Sequence, residues 1–257
     1  MSHIMNSNEN IINPTITKTS IESFVFFTFS SSLDEDCIIN SVVDKAFFDA
    51  TNQGAFNTLI HKDDKRKEIL DQVKKSVKDL LYKEIIKYTE KKGESFNKWH
   101  SDTCKKIIEV YNKDFSDEFT YGNAQKMVNM ALKYLYLLSG IANYGKINDK
   151  LQNILNAVKA DSKYLHVPID SYIIDEIWRE SDENQRNTLP IKDPKHTNTS
   201  NNKYKRPSDY IEAWSQWSED TYYKIRTLID TILKDEAPLE WESKAWIKSA
   251  KQRRSNQ

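Results

Sequence analysis

The sequence is poor in the residues that interrupt helices. Glycine occurs only five times and proline six times in 257 residues. A turn-rich β-protein needs many such residues at its tight turns. The scarcity therefore favours long helices and argues against a β-sandwich or a β-barrel.

Cysteine is scarce too, with only Cys37 and Cys104 in the chain. Two thiols cannot build a disulfide framework or a four-cysteine zinc site, and so few are typical of a reduced, cytoplasmic protein. The five histidines include no HExxH pattern. The chain also lacks the GxxxxGK[ST], GxGxxG and GxSxG motifs, so no motif supports an NTPase, a dinucleotide-binding protein or a serine hydrolase. We expect no metal and no cofactor.

Long apolar runs and excess charge are absent as well. No run approaches the ~20 apolar residues that span a bilayer, so no membrane partner is expected. The N-terminal stretch lacks a charged region followed by an apolar core, and a secretion signal is not predicted. With 38 basic and 38 acidic residues the net charge is zero. This balance argues against a protein whose whole surface binds nucleic acid, but it is compatible with a local basic face.

Amphipathic stripes dominate what is present, as in residues 64–92, where apolar side chains recur at helical spacing. The pattern predicts one all-α domain over residues 21–257, with a long polar surface loop at 181–209. Residues 1–20 are expected to be disordered or to include a cloning remnant. The β-branched and aromatic stretch at 23–32 predicts one short strand or extended segment near the N-terminus.

Two stretches each predict a helix start. "YGNAQK" places Lys126 near the first turn of a helix, where the positive helix end disfavours an ammonium group by ~0.3–1 kcal/mol and so favours a nucleophilic free amine. "HVPID" places Pro168 just ahead of a second helix and Asp170 at its N-cap. Each residue also has an ordinary interpretation: Lys126 as a solvated lysine, and Asp170 as a cap contributing ~1 kcal/mol.

Together the two stretches resemble the motif of the helix-hairpin-helix DNA glycosylases. In that family a G-x-G-x-K stretch opens one helix and a P-[VI]-D stretch opens another. Here Gly122 precedes Lys126 by four residues, and Pro168 to Asp170 supplies the second stretch. Ala124 replaces the second hairpin glycine, and 44 residues separate the lysine from the aspartate. The resemblance is nearest to the archaeal-type 8-oxoguanine DNA glycosylases, whose hairpin is also atypical and whose separation is also longer.

The resemblance implies an enzyme that acts on duplex DNA containing an oxidised or otherwise modified base. The base would be flipped into a pocket at a cost of a few kcal/mol. Lys126 would attack the sugar C1′ and form a Schiff base, with strand cleavage by β-elimination as a further step. Asp170 would stabilise the developing positive charge and assist proton transfers.

Further residues follow from the same comparison. Backbone N–H groups at the helix start are predicted to bind a DNA phosphate. An aromatic side chain is predicted to stack on the flipped base, with core packing as the alternative for each candidate. The DNA-binding candidates are Gly122, Asn123 and Gln125, and the base-pocket candidates are Tyr121, Trp214 and Trp217.

Basic residues at 62–92 and from Lys248 to Arg254 are candidate phosphate contacts, with a solvated helix face as the alternative. Two other functions are compatible with the sequence. A non-catalytic helical module would use Lys126 only to bind a nucleic-acid phosphate. A protein-interaction factor without nucleic acid is favoured by the zero net charge.

Overall fold

The computed structural model describes residues 18–32, 37–51, 64–90, 95–115, 119–141, 147–192 and 206–255. Within these ranges the chain forms eleven α-helices, one 3-10 helix at Trp214–Gln216 and no β-strand, which confirms the predicted all-α class. The helices are α1 Lys18–Phe29, α2 Ile38–Thr51, α3 Asp64–Glu90, α4 Phe96–Asn112, α5 Tyr121–Ile141, α6 Asp149–Ala160, α7 Ser171–Glu180, α8 Glu183–Arg186, α9 Pro207–Tyr210, α10 Glu219–Leu233 and α11 Pro238–Ser255.

The predicted N-terminal strand is wrong, because residues 18–29 are helical. Ile21, Val25 and Phe29 are buried at intervals of four residues, whereas Phe27 is 84% exposed. A four-residue interval places side chains on one helix face. Packing against α2 therefore overrides the β-propensity of this aromatic segment.

The polar segment predicted as a loop at 181–209 is only partly irregular where it is described. α8 begins with a capping box formed by Asp182 and Gln185, and α9 follows at Pro207–Tyr210. Residues 193–205 lie outside the described residues. So do residues 1–17, which hold most of the predicted N-terminal tail.

Helix α5 lies at the centre of the fold. Its side chains from Tyr121 to Leu132 are buried without interruption, and it packs against α2, α4, α6 and the 3-10 helix. A helix buried on every side belongs to the interior of a domain. Any charged residue between Tyr121 and Leu132 is therefore placed inside the protein and needs a partner there.

Candidate active site

Lys126 and Asp170 meet in the structure. Lys126 Nζ donates a hydrogen bond of 3.0 Å to Asp170 Oδ2. The Lys126 side chain is 8% exposed and the Asp170 side chain 19% exposed. The two stretches singled out in the sequence thus converge on a nearly buried ion pair that is close enough to the surface for the carboxylate to touch solvent.

Asp170 uses its two oxygens for different purposes. Oδ1 accepts hydrogen bonds from the backbone N–H groups of Tyr172 and Ile173, at 2.9 and 3.1 Å, and so caps α7. Oδ2 faces Lys126. Burial acts to raise the pKa of Asp170, but the charge and hydrogen bond of Lys126, with the two capping bonds, outweigh it and hold that pKa below its ordinary value. The carboxylate is therefore ionised at neutral pH.

Lys126 lies one turn further into its helix than predicted. α5 begins at Tyr121, so Lys126 is its sixth residue and falls in the second turn. The helix dipole acts mainly within the first turn, and the predicted dipole effect on the amine is therefore wrong. The immediate surroundings of Nζ are Asp170 and the ring of Trp214, whose centroid is 6.0 Å away.

A buried polar network fixes the loop that leads to Asp170. Asn129 on α5 donates to the Val167 carbonyl at 3.2 Å, and it also donates to the Tyr222 hydroxyl at 3.1 Å. Tyr222 bonds in turn to His166 Nδ1 at 2.8 Å. Burial lowers the pKa of neighbouring His100 to about 3, so that imidazole is neutral at pH 7. The network holds Val167, three residues before Asp170, through uncharged hydrogen-bonding groups.

The start of α5 is closed by the 3-10 helix. Gly122 N–H donates to the Trp217 carbonyl at 3.0 Å, and Asn123 N–H donates to Thr120 Oγ1 at 3.3 Å. A Cβ on Gly122 would lie 1.7 Å from the Trp214 carbonyl oxygen, so only glycine allows this approach. The glycine serves close packing.

The predicted phosphate contacts at this helix start are consequently wrong in geometry. The backbone N–H groups of Gly122 and Asn123 already have protein partners, and the Gln125 side chain is fully buried and donates to the Gly122 carbonyl at 2.9 Å. None of the three presents a donor to a ligand outside the protein in this arrangement.

The three aromatic candidates for the base pocket lie in different surroundings. Trp217 is 1% exposed and donates its indole N–H to the Glu212 carbonyl. Tyr121 is 4% exposed and packs against Tyr222 at a centroid distance of 5.4 Å. Their burial favours the core-packing alternative for both. Trp214 lies beside Lys126 and is the one candidate of the three that the structure brings to the ion pair.

A second ion pair beside the first was missed in the sequence. Lys133 lies seven residues after Lys126, about two turns along the same face of α5, and its Nζ contacts Glu242 Oε1 at 2.7 Å. Glu242, on α11, is 2% exposed, and burial raises its pKa even though Lys133 opposes this. The charges of Lys126 and Asp170 also act on Glu242, so the two pairs share one electrostatic environment.

The sequence did contain a signal for this pair. Lys126 and Lys133 have the spacing that puts both on one helix face, and Glu242 falls among the apolar residues of α11, of which Leu239, Trp241 and Ala245 are buried. A carboxylate at a core position of an amphipathic helix calls for an internal cation.

Ion pairs to buried carboxylates also fix α11 to α7, the helix that Asp170 caps. Arg253 bonds to Asp175 Oδ2 through Nε at 2.9 Å and Nη2 at 2.7 Å, and its guanidinium lies 3.7 Å from the centroid of the Tyr172 ring. Lys248 bonds to Glu176, which is fully buried. Two basic residues of the C-terminal segment predicted to contact phosphate thus serve internal carboxylates.

The lysines of α3 are also partly engaged within the protein. Lys78 Nζ lies 2.8 Å from Asp44 of α2, and Lys74 lies 3.3 Å from Asp71. Lys62, Lys91 and Lys92 lie outside the described residues. The predicted DNA contacts of this helix stay predictions.

Comparisons with protein-family models, with curated proteins and with solved structures find no match to this chain. Among the described residues no helix is long and apolar enough to cross a membrane. In the same residues no group of three or more histidine, cysteine or acidic side chains is arranged to hold a metal ion. The candidate site therefore rests on the geometry of its own side chains.

Proposed function

We propose that this protein is a DNA glycosylase that excises an oxidised or otherwise modified base, with Lys126 as nucleophile and Asp170 as its acid–base partner. The observation that supports this is the nearly buried hydrogen bond between two side chains 44 residues apart in the sequence. Each belongs to a motif stretch of the glycosylases that this chain resembles.

The chemistry begins with a proton transfer. Nζ attacks only as a free amine, and the Asp170 carboxylate, which accepts its hydrogen bond, is the proton acceptor in this step. Nζ then attacks C1′ of the flipped nucleotide while the N-glycosidic bond breaks, and the base leaves with the bonding electrons and takes up a proton. Opening of the sugar ring and loss of a proton convert the Nζ–C1′ adduct into a Schiff base. Loss of a C2′ proton and departure of the 3′ phosphate would cleave the strand.

Asp170 has a further part in this proposed mechanism. Its capping bonds to Tyr172 and Ile173 fix the carboxylate with one oxygen left for the reaction. A carboxylate held in place by its surroundings stabilises a developing cation without reorganising, and such preorganised electrostatics is often a large contribution to catalysis. The buried Lys133–Glu242 pair adds polar groups next to this centre.

A structural role for the pair is the alternative. Nearly buried ion pairs also occur where no chemistry takes place, and their removal then affects stability alone. The binding-module hypothesis makes a related prediction, in which Lys126 contributes to affinity about as much as any other phosphate contact.

Borohydride trapping separates these possibilities. The protein is incubated with duplexes that each contain one modified base, and borohydride is added to reduce any Schiff base to a stable amine. We expect a covalent protein–DNA adduct for at least one lesion, and its loss in Lys126→Gln. Lys45→Gln, which breaks the Lys45–Asp49 ion pair on α2, is the matched control and should still give the adduct.

Folding of each variant is checked by thermal melting. Absence of base release and of adduct from all lesions, with a folded protein, would refute the enzymatic proposal. Salt-dependent binding without chemistry would then assign the protein to the binding-module class, and no binding at low salt would leave the protein-interaction function.

A further inference from the structure

A cavity of about 550 Å³ lies between the start of α4, the end of α6 and the middle of α10. It shares no lining residue with the Lys126–Asp170 pair or with Lys133 and Glu242. Sites for small molecules in proteins usually have volumes of ~300–1,000 Å³. The cavity is thus large enough for a ligand and distinct from the candidate active site.

A buried arginine lines this cavity. Arg226, on α10, is 9% exposed, and its Nη1 forms an ion pair with Asp230 one turn later. Its Nε has no hydrogen-bond partner among the described residues. The Asp230 side chain is 54% exposed, so the carboxylate is partly solvated. Arg226 is thus a buried cation that lines the cavity and has one partly solvated counterion, and a second anion in the cavity would be attracted to its guanidinium.

A second cation and an aromatic ring stand at the rim. Lys163 is exposed, and its Nζ lies 4.8 Å from the centroid of the Tyr164 ring. Tyr164 is itself 51% exposed, so its ring is accessible for stacking. The rim therefore offers both an exposed positive charge and an aromatic surface to a molecule whose anionic end reaches Arg226.

Two carboxylates restrict the kind of anion. Asp161 and Asp230 both line the cavity. They would repel an extended polyanion such as a nucleic-acid backbone, whereas they can accept hydrogen bonds from hydroxyl or amino groups of a small ligand. A single phosphate suits the arginine fork but leaves most of the volume empty.

We propose that the cavity binds a small phosphate-bearing molecule of mononucleotide size. Its phosphate lies on Arg226 and Lys163, its ring lies on Tyr164, and its hydroxyl or amino groups face Asp161. This site is distinct from the proposed glycosylase centre, because no residue is common to the two.

Calorimetric titration of the full chain tests this with four probes: inorganic phosphate, adenosine 5′-monophosphate, adenosine and a short single-stranded DNA. We expect the nucleotide to bind most tightly. Adenosine should bind at least about tenfold more weakly, because it lacks the phosphate that forms charge-assisted bonds. The oligonucleotide arm separates a free nucleotide from a phosphate of the DNA backbone.

Variants locate the site. Lys163→Ala should weaken nucleotide binding by about threefold or more, by loss of one partly solvated contact. Lys159→Ala, an exposed lysine on α6 outside the cavity lining, is the matched control and should bind unchanged. Arg226→Met should abolish binding and should not lower the melting temperature much, since it removes a buried cation with an unfilled donor. Lys126→Gln should bind as well as the unsubstituted protein, whatever its activity on DNA.

Two results would overturn the proposal. One is the absence of binding by both phosphate-containing small probes at millimolar concentration. The other is oligonucleotide binding that is tighter than nucleotide binding and that depends on Lys163, which would assign the cavity to the DNA backbone. Should Arg226→Met fail to fold, the comparison of Lys163→Ala with Lys159→Ala decides on its own.

Discussion

The two ion pairs of α5 have the same kind of cation and behave differently. Lys126 pairs with Asp170 at the start of α7, and Lys133 pairs with Glu242 inside α11. Both lysines are held by the same central helix, two turns apart. Yet the pKa of Asp170 lies below its ordinary value and that of Glu242 lies above it.

The backbone around each carboxylate explains the difference. For both acids burial is the largest influence and acts to raise the pKa. Asp170 also accepts two N–H bonds from the first turn of α7, which favour its charged form, while Glu242 is the fifth residue of α11 and is not at its N-cap. A lysine partner alone does not lower the pKa of a buried carboxylate here. The added N–H bonds at a helix start do so for Asp170, and this makes the Asp170 pair the better candidate for chemistry.

The largest expected effect is on reactivity, and it distinguishes the two lysines. Lys126→Gln should lower the single-turnover rate of adduct formation by at least about 100-fold, because it removes the nucleophile. Lys133→Gln should still give a borohydride-trapped adduct, at a reduced rate, since its amine faces Glu242. The rates are measured from gel-resolved time courses. An adduct that survives in Lys126→Gln and disappears in Lys133→Gln would exchange the roles of the two pairs.

A smaller effect, on stability, tests the Glu242 pair. Glu242→Ala should lower the free energy of unfolding by about 3 kcal/mol, because Lys133 would stay largely buried without a counterion. The double variant Lys133→Met with Glu242→Leu removes both charges and should be close to the unsubstituted protein. Urea unfolding gives both values. If Glu242→Ala costs less than about 0.5 kcal/mol, the lysine reaches water by itself and the pair is not a buried one.

The sequence was sufficient to predict the helical class and the convergence of Lys126 with Asp170. The helical class followed from the helical spacing of apolar residues, and the Asp170 cap from a proline and an aspartate in the order that starts a helix. The convergence was implied by the resemblance to the glycosylase motif. The sequence was insufficient for the N-terminal segment, where aromatic residues suggested a strand. There tertiary contacts determine the structure, since Ile21, Val25 and Phe29 are buried on one face of α1, which packs against α2.

The site residues show the same limit. Gly122 was predicted to open a phosphate site, but its role depends on the 3-10 helix at Trp214–Gln216, some ninety residues later in the chain. Glu242 was missed because the sequence around it does not indicate that its partner is Lys133 on α5. A sequence pattern gives the type of each residue and its position within an element, whereas the pairing of distant elements determines which charges are neutralised and which N–H groups stay free.

A difference of about 1 kcal/mol in the free energy of unfolding tests the N-cap that Asp170 provides for α7. Asparagine caps a helix about as well as aspartate, so Asp170→Asn keeps the bonds to Tyr172 and Ile173 and removes only the charge. Asp170→Ala removes both and should be about 1 kcal/mol less stable than Asp170→Asn. Thermal or urea unfolding measures the gap. Both variants should lose adduct formation alike, so that activity follows the charge while stability follows the cap; equal stability of the two would mean that the capping bonds contribute nothing.

The finest distinction is in the pH dependence of stability. Asp170 has a folded pKa below its ordinary 3.8, so its stabilisation is present above 3.8 and is lost as the pH falls through the folded value. Glu242 has a folded pKa above its ordinary 4.5, so its stabilisation is complete below 4.5 and is lost as the pH rises through the folded value.

Unfolding free energies of the unsubstituted protein, Asp170→Asn and Glu242→Gln, measured from about pH 7 to about pH 3, should therefore diverge with opposite signs. Relative to Asp170→Asn, the unsubstituted protein should lose stability below pH 3.8. Relative to Glu242→Gln, it should gain stability as the pH falls from neutrality towards 4.5. Each unit of difference between folded and unfolded pKa corresponds to ~1.4 kcal/mol. If both differences change in the same direction, the capping N–H groups do not separate the two acids, and the ranking of Lys126–Asp170 above Lys133–Glu242 loses its physical basis.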